Sequence, residues 1–162
     1  MNAPAPLPPL QGGCLGGQAR YRARPDHRDG YDWHCRMCQL AFGNTRAAYL
    51  NLRKSEVEWL GAPAHCASSK IARRGFCGHC GTPLSFGFLD SQRMDLSIGS
   101  LDEPWLIKPS EHFALESRLA AWHAPDGLPE TRLDAHPQIV QRWREAYGHS
   151  VVPGLAAARG EP

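Results

Sequence analysis

Three things are missing from this 162-residue chain, and each absence closes off a class of function. No apolar run approaches the roughly 20 residues needed to span a bilayer as a helix. Neither charge sign dominates: 18 basic residues face 16 acidic ones for a net charge of +2, so no field points to nucleic acid. The opening "MNAPAPLPPLQGG" has neither a charged n-region nor an apolar h-region, so no secretory signal is expected. Without export the chain belongs in a reducing cytoplasm, where paired cysteines point to metal or redox chemistry rather than disulfides. The length suits a single domain with a real core, and the apolar fraction of 42% is that of an ordinary globular protein.

What the chain does have is cysteine in pairs. Of Cys14, Cys35, Cys38, Cys66, Cys77 and Cys80, four form two C-x-x-C motifs. In "GFCGHCGTPL" (75–84) one tight turn presents two thiols, and the glycines after them let backbone amides turn toward the sulfurs. That is the form of a zinc knuckle. A thioredoxin-like pair is not expected, because no βαβ pattern surrounds it. On spacing alone, Cys35, Cys38, Cys77 and Cys80 would make one four-cysteine ribbon with an unusually long insert, leaving Cys14 without a role.

Glycine and proline punctuate the chain into short strand-like segments: 18–23, 47–52, 57–61, 83–89 and 93–101. In the last of these Met94, Leu96 and Ile98 alternate with polar residues, which predicts a half-buried strand. "HFALESRLAAWH" (112–123) suits either a strand or a short helix. In "LDAHPQIVQRWREAYG", Asp134 predicts a cap, Pro137 a first turn and Gly148 a stop. Ile139, Val140, Trp143 and Tyr147 share a face, the pattern of a helix packed on a sheet. The expected organisation is a disordered leader over 1–11, a zinc-binding domain over 12–130, a C-terminal helix within 131–150 and a flexible tail over 151–162.

Several motifs in order resemble the glutathione-dependent formaldehyde-activating enzymes and their relatives, centromere protein V among them. They are "GGCLGGQARY" (12–21), "WHCRMC" (33–38), "WLGAPA" (59–64), "SSKIARRGFCGHCGTPL" (68–84), "SIGSLDEP" (97–104) and "HFALESRLAAWHAPDGLP" (112–129). The resemblance implies a mainly β fold, two antiparallel sheets meeting around zinc in a β-tent, with the helix appended. It also implies a different partition of the thiols. Cys14, Cys77 and Cys80 fall in the structural zinc site, and Cys35 and Cys38 in a second, reactive one. The implied partners are a small thiol such as glutathione and a small aldehyde such as formaldehyde. The implied activity is that of a carbon–sulfur lyase acting on their adduct.

Two positions depart from the family pattern. Gly16 stands where the opening C-x-C has its second cysteine, and Trp33 where C-H-C-x-x-C has its first. Each site has lost a thiolate, so the structural zinc needs a fourth ligand and the second site is weakened. The alternative expectation is a zinc-stabilised binding or structural protein without catalysis. Trp33 reads as apolar packing, and His34 as a neighbour of the ligands rather than a ligand. Cys66 reads as a small buried hydrophobe, and Arg73 and Arg74 as a solvated charged turn. The remaining histidines look scattered, with His79 facing solvent.

Overall fold

The computed structural model describes residues 7–150. Eleven strands form two sheets: β1 (Leu10–Gly13), β2 (Arg20–Ala23), β3 (Asp29–Trp33), β4 (Ala47–Arg53), β5 (Val57–Trp59), β6 (Ala64–Ala67), β7 (Ala72–Phe76), β8 (Pro83–Phe88), β9 (Arg93–Ser97), β10 (Lys108–Phe113) and β11 (Glu130–Thr131). Helix α1 (Arg36–Phe42) follows β3, and α2 (Pro137–Tyr147) ends the fold. The small sheet runs β1-β2-β5 and the large one β11-β10-β3-β4-β9-β8-β7-β6. The mainly β architecture with two sheets and a C-terminal helix is the one expected. Antiparallel pairing holds except around β10, which runs parallel to both β3 and β11.

The large sheet is covered on both faces, and strand periodicity decides what each face meets. Leu50 and Leu52 of β4 pack with Met94 and Leu96 of β9 and with Leu10, Tyr21 and Ala23 of the small sheet. Ala47 and Tyr49, on the opposite face of β4, pack with Phe86, Ala72 and Cys38. The β7–β8 register shifts between Gly75 and Phe76; beyond the shift Leu84 joins the first cluster while Phe86 stays in the second. Such a bulge re-aims side chains, and here it leads directly into the Cys77 turn. Helix α2 lies by the second cluster, with Arg142 bound to Asp90 at 2.9 Å and its guanidinium 4.5 Å over Phe88.

Several expectations need correction. Strand β1 begins at Leu10, which is buried, so the last residues of the supposed leader belong to the fold. The outer parts of leader and tail, 1–6 and 151–162, lie outside the described residues. Strand β9 is buried on both faces, not half-buried: Met94 and Leu96 pack in the first cluster, and Asp95 on the opposite face is enclosed with Tyr31 and Asn51. Segment 112–123 is neither a strand nor one helix, since β10 ends at Phe113 and single 3-10 turns follow. His136, not Asp134, occupies the N-cap of α2, and Asp134 pairs with Arg132 instead. Pro137 and Gly148 do start and stop the helix. Among the described residues no helix is long and apolar enough to cross a membrane.

Candidate functional site

Cys14, Cys77 and Cys80 converge, with ligand atoms within 4.8 Å of one another. Cys14 sits in the turn that joins β1 to β2, closed by its N–H donating to the Ala19 carbonyl at 2.8 Å. Cys77 and Cys80 sit in the turn between β7 and β8, where Gly81 has φ +75° and donates its N–H to the Cys77 carbonyl at 2.9 Å. A left-handed residue there favours glycine, so the knuckle's trailing glycine has a backbone reason. The Leu15 N–H reaches Thr82 Oγ1 at 3.1 Å and links the two turns.

Two of the three sulfurs are prepared for negative charge. The Ala19 N–H donates to Cys14 Sγ at 3.3 Å and lowers that thiol's pKa despite burial. The Thr82 hydroxyl, its amide and the Gly16 amide draw Cys80 down to about 6. Cys77 accepts the Cys80 and His79 amides, yet burial and the neighbouring sulfurs raise it on balance. A Cβ built at Gly16 would lie 3.8 Å from Cys80 Sγ, so position 16 does border this group. The three thiols could hold a metal, and no fourth Cys, His or carboxylate joins their cluster among the described residues. Cys66 is exposed on the edge strand β6 and takes no part, contrary to the buried role expected of it.

Cys35 and Cys38 lie elsewhere, in the second apolar cluster, so no single four-cysteine ribbon forms. Cys35 caps α1, its sulfur accepting the Cys38 N–H at 3.2 Å, and its thiol points to Cys38 Sγ at 2.7 Å. Arg74 is the correction with most consequence. Alternation along β7 exposes Arg73 and buries Arg74, whose guanidinium donates to Tyr49 Oη at 2.8 Å and Cys38 Sγ at 3.4 Å. Burial opposes the Cys38 thiolate, but the Cys35 thiol and the Arg74 charge outweigh it and bring Cys38 to about 7. Cys35 is pushed up, first by donating to Cys38 and then by burial.

Beside this pair is a cavity of about 50 Å³ walled by Trp33, Cys35, Cys38, Arg74, Phe86 and Trp143, among others. Trp33 is packed as expected, stacked on Phe113 at 5.4 Å between ring centroids. The indole N–H groups of Trp33 and Trp143 are buried without an acceptor.

The histidines are not scattered. His34, His112 and His123 bring one ring nitrogen each to within 4.8 Å of the others. His34 Nε2 lies 2.9 Å from His112 Nδ1, and His112 Nε2 lies 3.0 Å from Asp126 Oδ2. Burial first, then the neighbouring His112 and His123, lowers the His34 pKa to about 4. No sequence spacing announces this group. It exists because β10 pairs in parallel with β3, setting His112 opposite Asp32 and Phe113 opposite Trp33, just before His34.

No curated protein matches the chain. A crystal structure of a Rhodobacter sphaeroides protein aligns with it at a TM-score of 0.49 and 16% identity, over 57% of this chain and 87% of that one. The glutathione-dependent formaldehyde-activating enzyme family matches over residues 9–117. That span is more than half of the chain and includes all six cysteines and every one of the thiol contacts, down to the knuckle and Arg74. The chain therefore belongs to the glutathione-dependent formaldehyde-activating enzyme family.

Proposed function

We propose that this protein is a cytoplasmic, zinc-stabilised carbon–sulfur lyase that forms or cleaves the adduct of a small thiol, such as glutathione, with a small aldehyde. The observation that carries the reading is the cavity walled by Cys38, Arg74 and the Trp33 and Trp143 side chains, with Arg74 donating to the Cys38 sulfur. Cys14, Cys77 and Cys80 fit a structural zinc: three sulfurs converge, and backbone amides and the Thr82 hydroxyl are turned toward them. When bound, that metal would tie the two turns together.

A second zinc at Cys35 and Cys38 fits poorly. Two sulfurs are one short of an open catalytic site, and the Arg74 guanidinium stands 3.4 Å from Cys38 Sγ, where it would repel a divalent cation. No step is therefore assigned to a metal there. In the proposed reaction the substrate thiol gives its proton to the Cys38 thiolate, and its sulfur attacks the aldehyde carbon. The carbon–sulfur bond forms as the carbonyl π pair moves to oxygen, which Arg74 stabilises and which then recovers the proton from Cys38. Cleavage is the reverse. Cys35, held protonated, keeps Cys38 oriented through its hydrogen bond.

Adduct formation from glutathione and formaldehyde, followed by 13C NMR, tests this. Cys38→Ser and Arg74→Met should each slow the enzyme-dependent rate by about 10²-fold or more. The missing third thiolate favours a second reading, a binding protein of the same fold. It would replace the first if the wild-type protein bound the adduct without changing its rate of formation.

A further inference from the structure

We propose that His34, His112 and His123 form a separate metal site, which takes a borderline divalent transition cation such as zinc through three imidazole nitrogens and leaves its fourth position to water or a small anion. The site stands apart from the Cys14 group and from the thiol pair. Cys35 follows His34 in sequence, but its sulfur turns to Cys38 in the apolar cluster.

The hydrogen bonding around His112 is that of a metal-ligating imidazole. A carboxylate only accepts, so His112 donates from Nε2 to Asp126, at 3.0 Å and 3.2 Å to its two oxygens. A neutral ring then presents the Nδ1 lone pair inward, toward His34 Nε2. A carboxylate behind a ligating histidine fixes the tautomer and makes the ring a better donor. His34 is anchored through its backbone: its N–H donates to the Phe113 carbonyl at 2.9 Å, and its own carbonyl accepts Gln39 Nε2 at 3.0 Å.

A structural chain of hydrogen bonds would need only two histidines and the aspartate. The third, His123, stands edge-on to both, with ring centroids 5.0 Å from His112 and 5.8 Å from His34, and closes the triangle. Tetrahedral zinc–nitrogen bonds of about 2.0–2.1 Å place ligand nitrogens roughly 3.4 Å apart. The 2.9 Å separation of His34 and His112 would thus open by about half an ångström on loading. The surroundings suit a cation. Asp32 Oδ2 lies 3.8 Å from His112 Nδ1 and Asp126 lies behind the ring. The nearby Arg118, 3.4 Å from His123 Nε2, is itself paired with Glu130, and Arg46 is paired with Asp32. Three neutral imidazoles select zinc, cobalt, nickel or copper over magnesium or calcium.

Cobalt(II) titration of chelator-stripped full-length protein reads the two kinds of site separately. Thiolate ligands give intense near-ultraviolet sulfur-to-cobalt absorption, whereas the imidazole site should add cobalt with visible bands alone. His123→Ala should lose that sulfur-free cobalt and keep the near-ultraviolet signal. Asp126→Asn should weaken the sulfur-free site by about 10–100-fold while leaving its capacity at saturation unchanged. Thermal melts of the metal-free variants check the fold, and if His123→Ala does not fold, the Asp126→Asn affinity decides. The proposal is overturned if the wild type takes up no sulfur-free cobalt, if His123→Ala retains it, or if Asp126→Asn binds it as tightly as the parent. A missing near-ultraviolet signal would count against the cysteine site alone and leave the imidazole site to be judged on its own bands.

Discussion

Gly16 occupies a position where a side chain would change chemistry without changing shape. Its φ is not among the left-handed ones, and a Cβ there meets only Cys80, at 3.8 Å. Gly16→Cys therefore places a fourth sulfur beside Cys14, Cys77 and Cys80 at little steric cost. Zinc should bind at least about tenfold more tightly, about 1.4 kcal/mol, in competition with a chromogenic chelator; unchanged affinity would mean that these three thiols do not hold the metal. Residue identity alone made this position legible, since a glycine in place of a cysteine is visible in the motif. Arg74 was not legible. It and Arg73 are adjacent and chemically alike, and only the direction each takes from β7 buries one beside a thiol and leaves the other in solvent.

At the scale of elements, β9 shows what alternation can and cannot reveal. Met94 and Leu96 were recognisable as core, but Asp95 looked solvent-facing because sequence does not show that a strand has a sheet neighbour on each side and a covering layer on both faces. In the fold Asp95 Oδ1 accepts the Tyr31 hydroxyl and Asn51 Nδ2, and burial raises its pKa to about 6. The native state thus keeps a proton that the unfolded chain releases near pH 4. Stability attributable to Asp95 is present below that pH and falls as pH rises through about 6. Asp95→Asn retains an oxygen that can accept both donors and does not ionise. Its melting temperature should draw ahead of the parent's between pH 4 and 7, by the equivalent of about 1–3 kcal/mol at neutrality. Parallel curves for the two proteins would show that Asp95 is ionised throughout.

At the scale of the whole molecule, the three-cysteine group joins the small sheet to the large one, since Cys14 leaves β1 and Cys77 and Cys80 leave β7. The Arg20–Asp102 ion pair and the Tyr21–Ser100 hydrogen bond of 2.7 Å cross near the same junction. Stripping zinc with a chelator should lower the melting temperature by roughly 2–4 °C for each kcal/mol of lost binding. Hydrogen exchange should quicken in β1, β2 and the turn between them, while β3, β4 and β9 keep their protection. Uniform loss of protection, or none, would place the metal elsewhere. Local punctuation made most strands readable, while the grouping of Cys14 with Cys77 and Cys80 was implied by the family resemblance and not by spacing. The imidazole group was not readable, because it depends on which strands become neighbours.

That dependence has a consequence in time. His34 and His112 are 78 positions apart and meet only when β10 docks in parallel beside β3. Contacts that close so long a loop are late and slow to form, because chain entropy is lost before they are made. The β3–β4 pair and α1 are local, and the Arg74 that covers Cys38 is 36 positions from it, less than half the His34–His112 separation. During refolding, Cys38 should therefore become shielded from alkylation before the histidines come together, so the two halves of "WHC" would report successive stages of the same folding reaction.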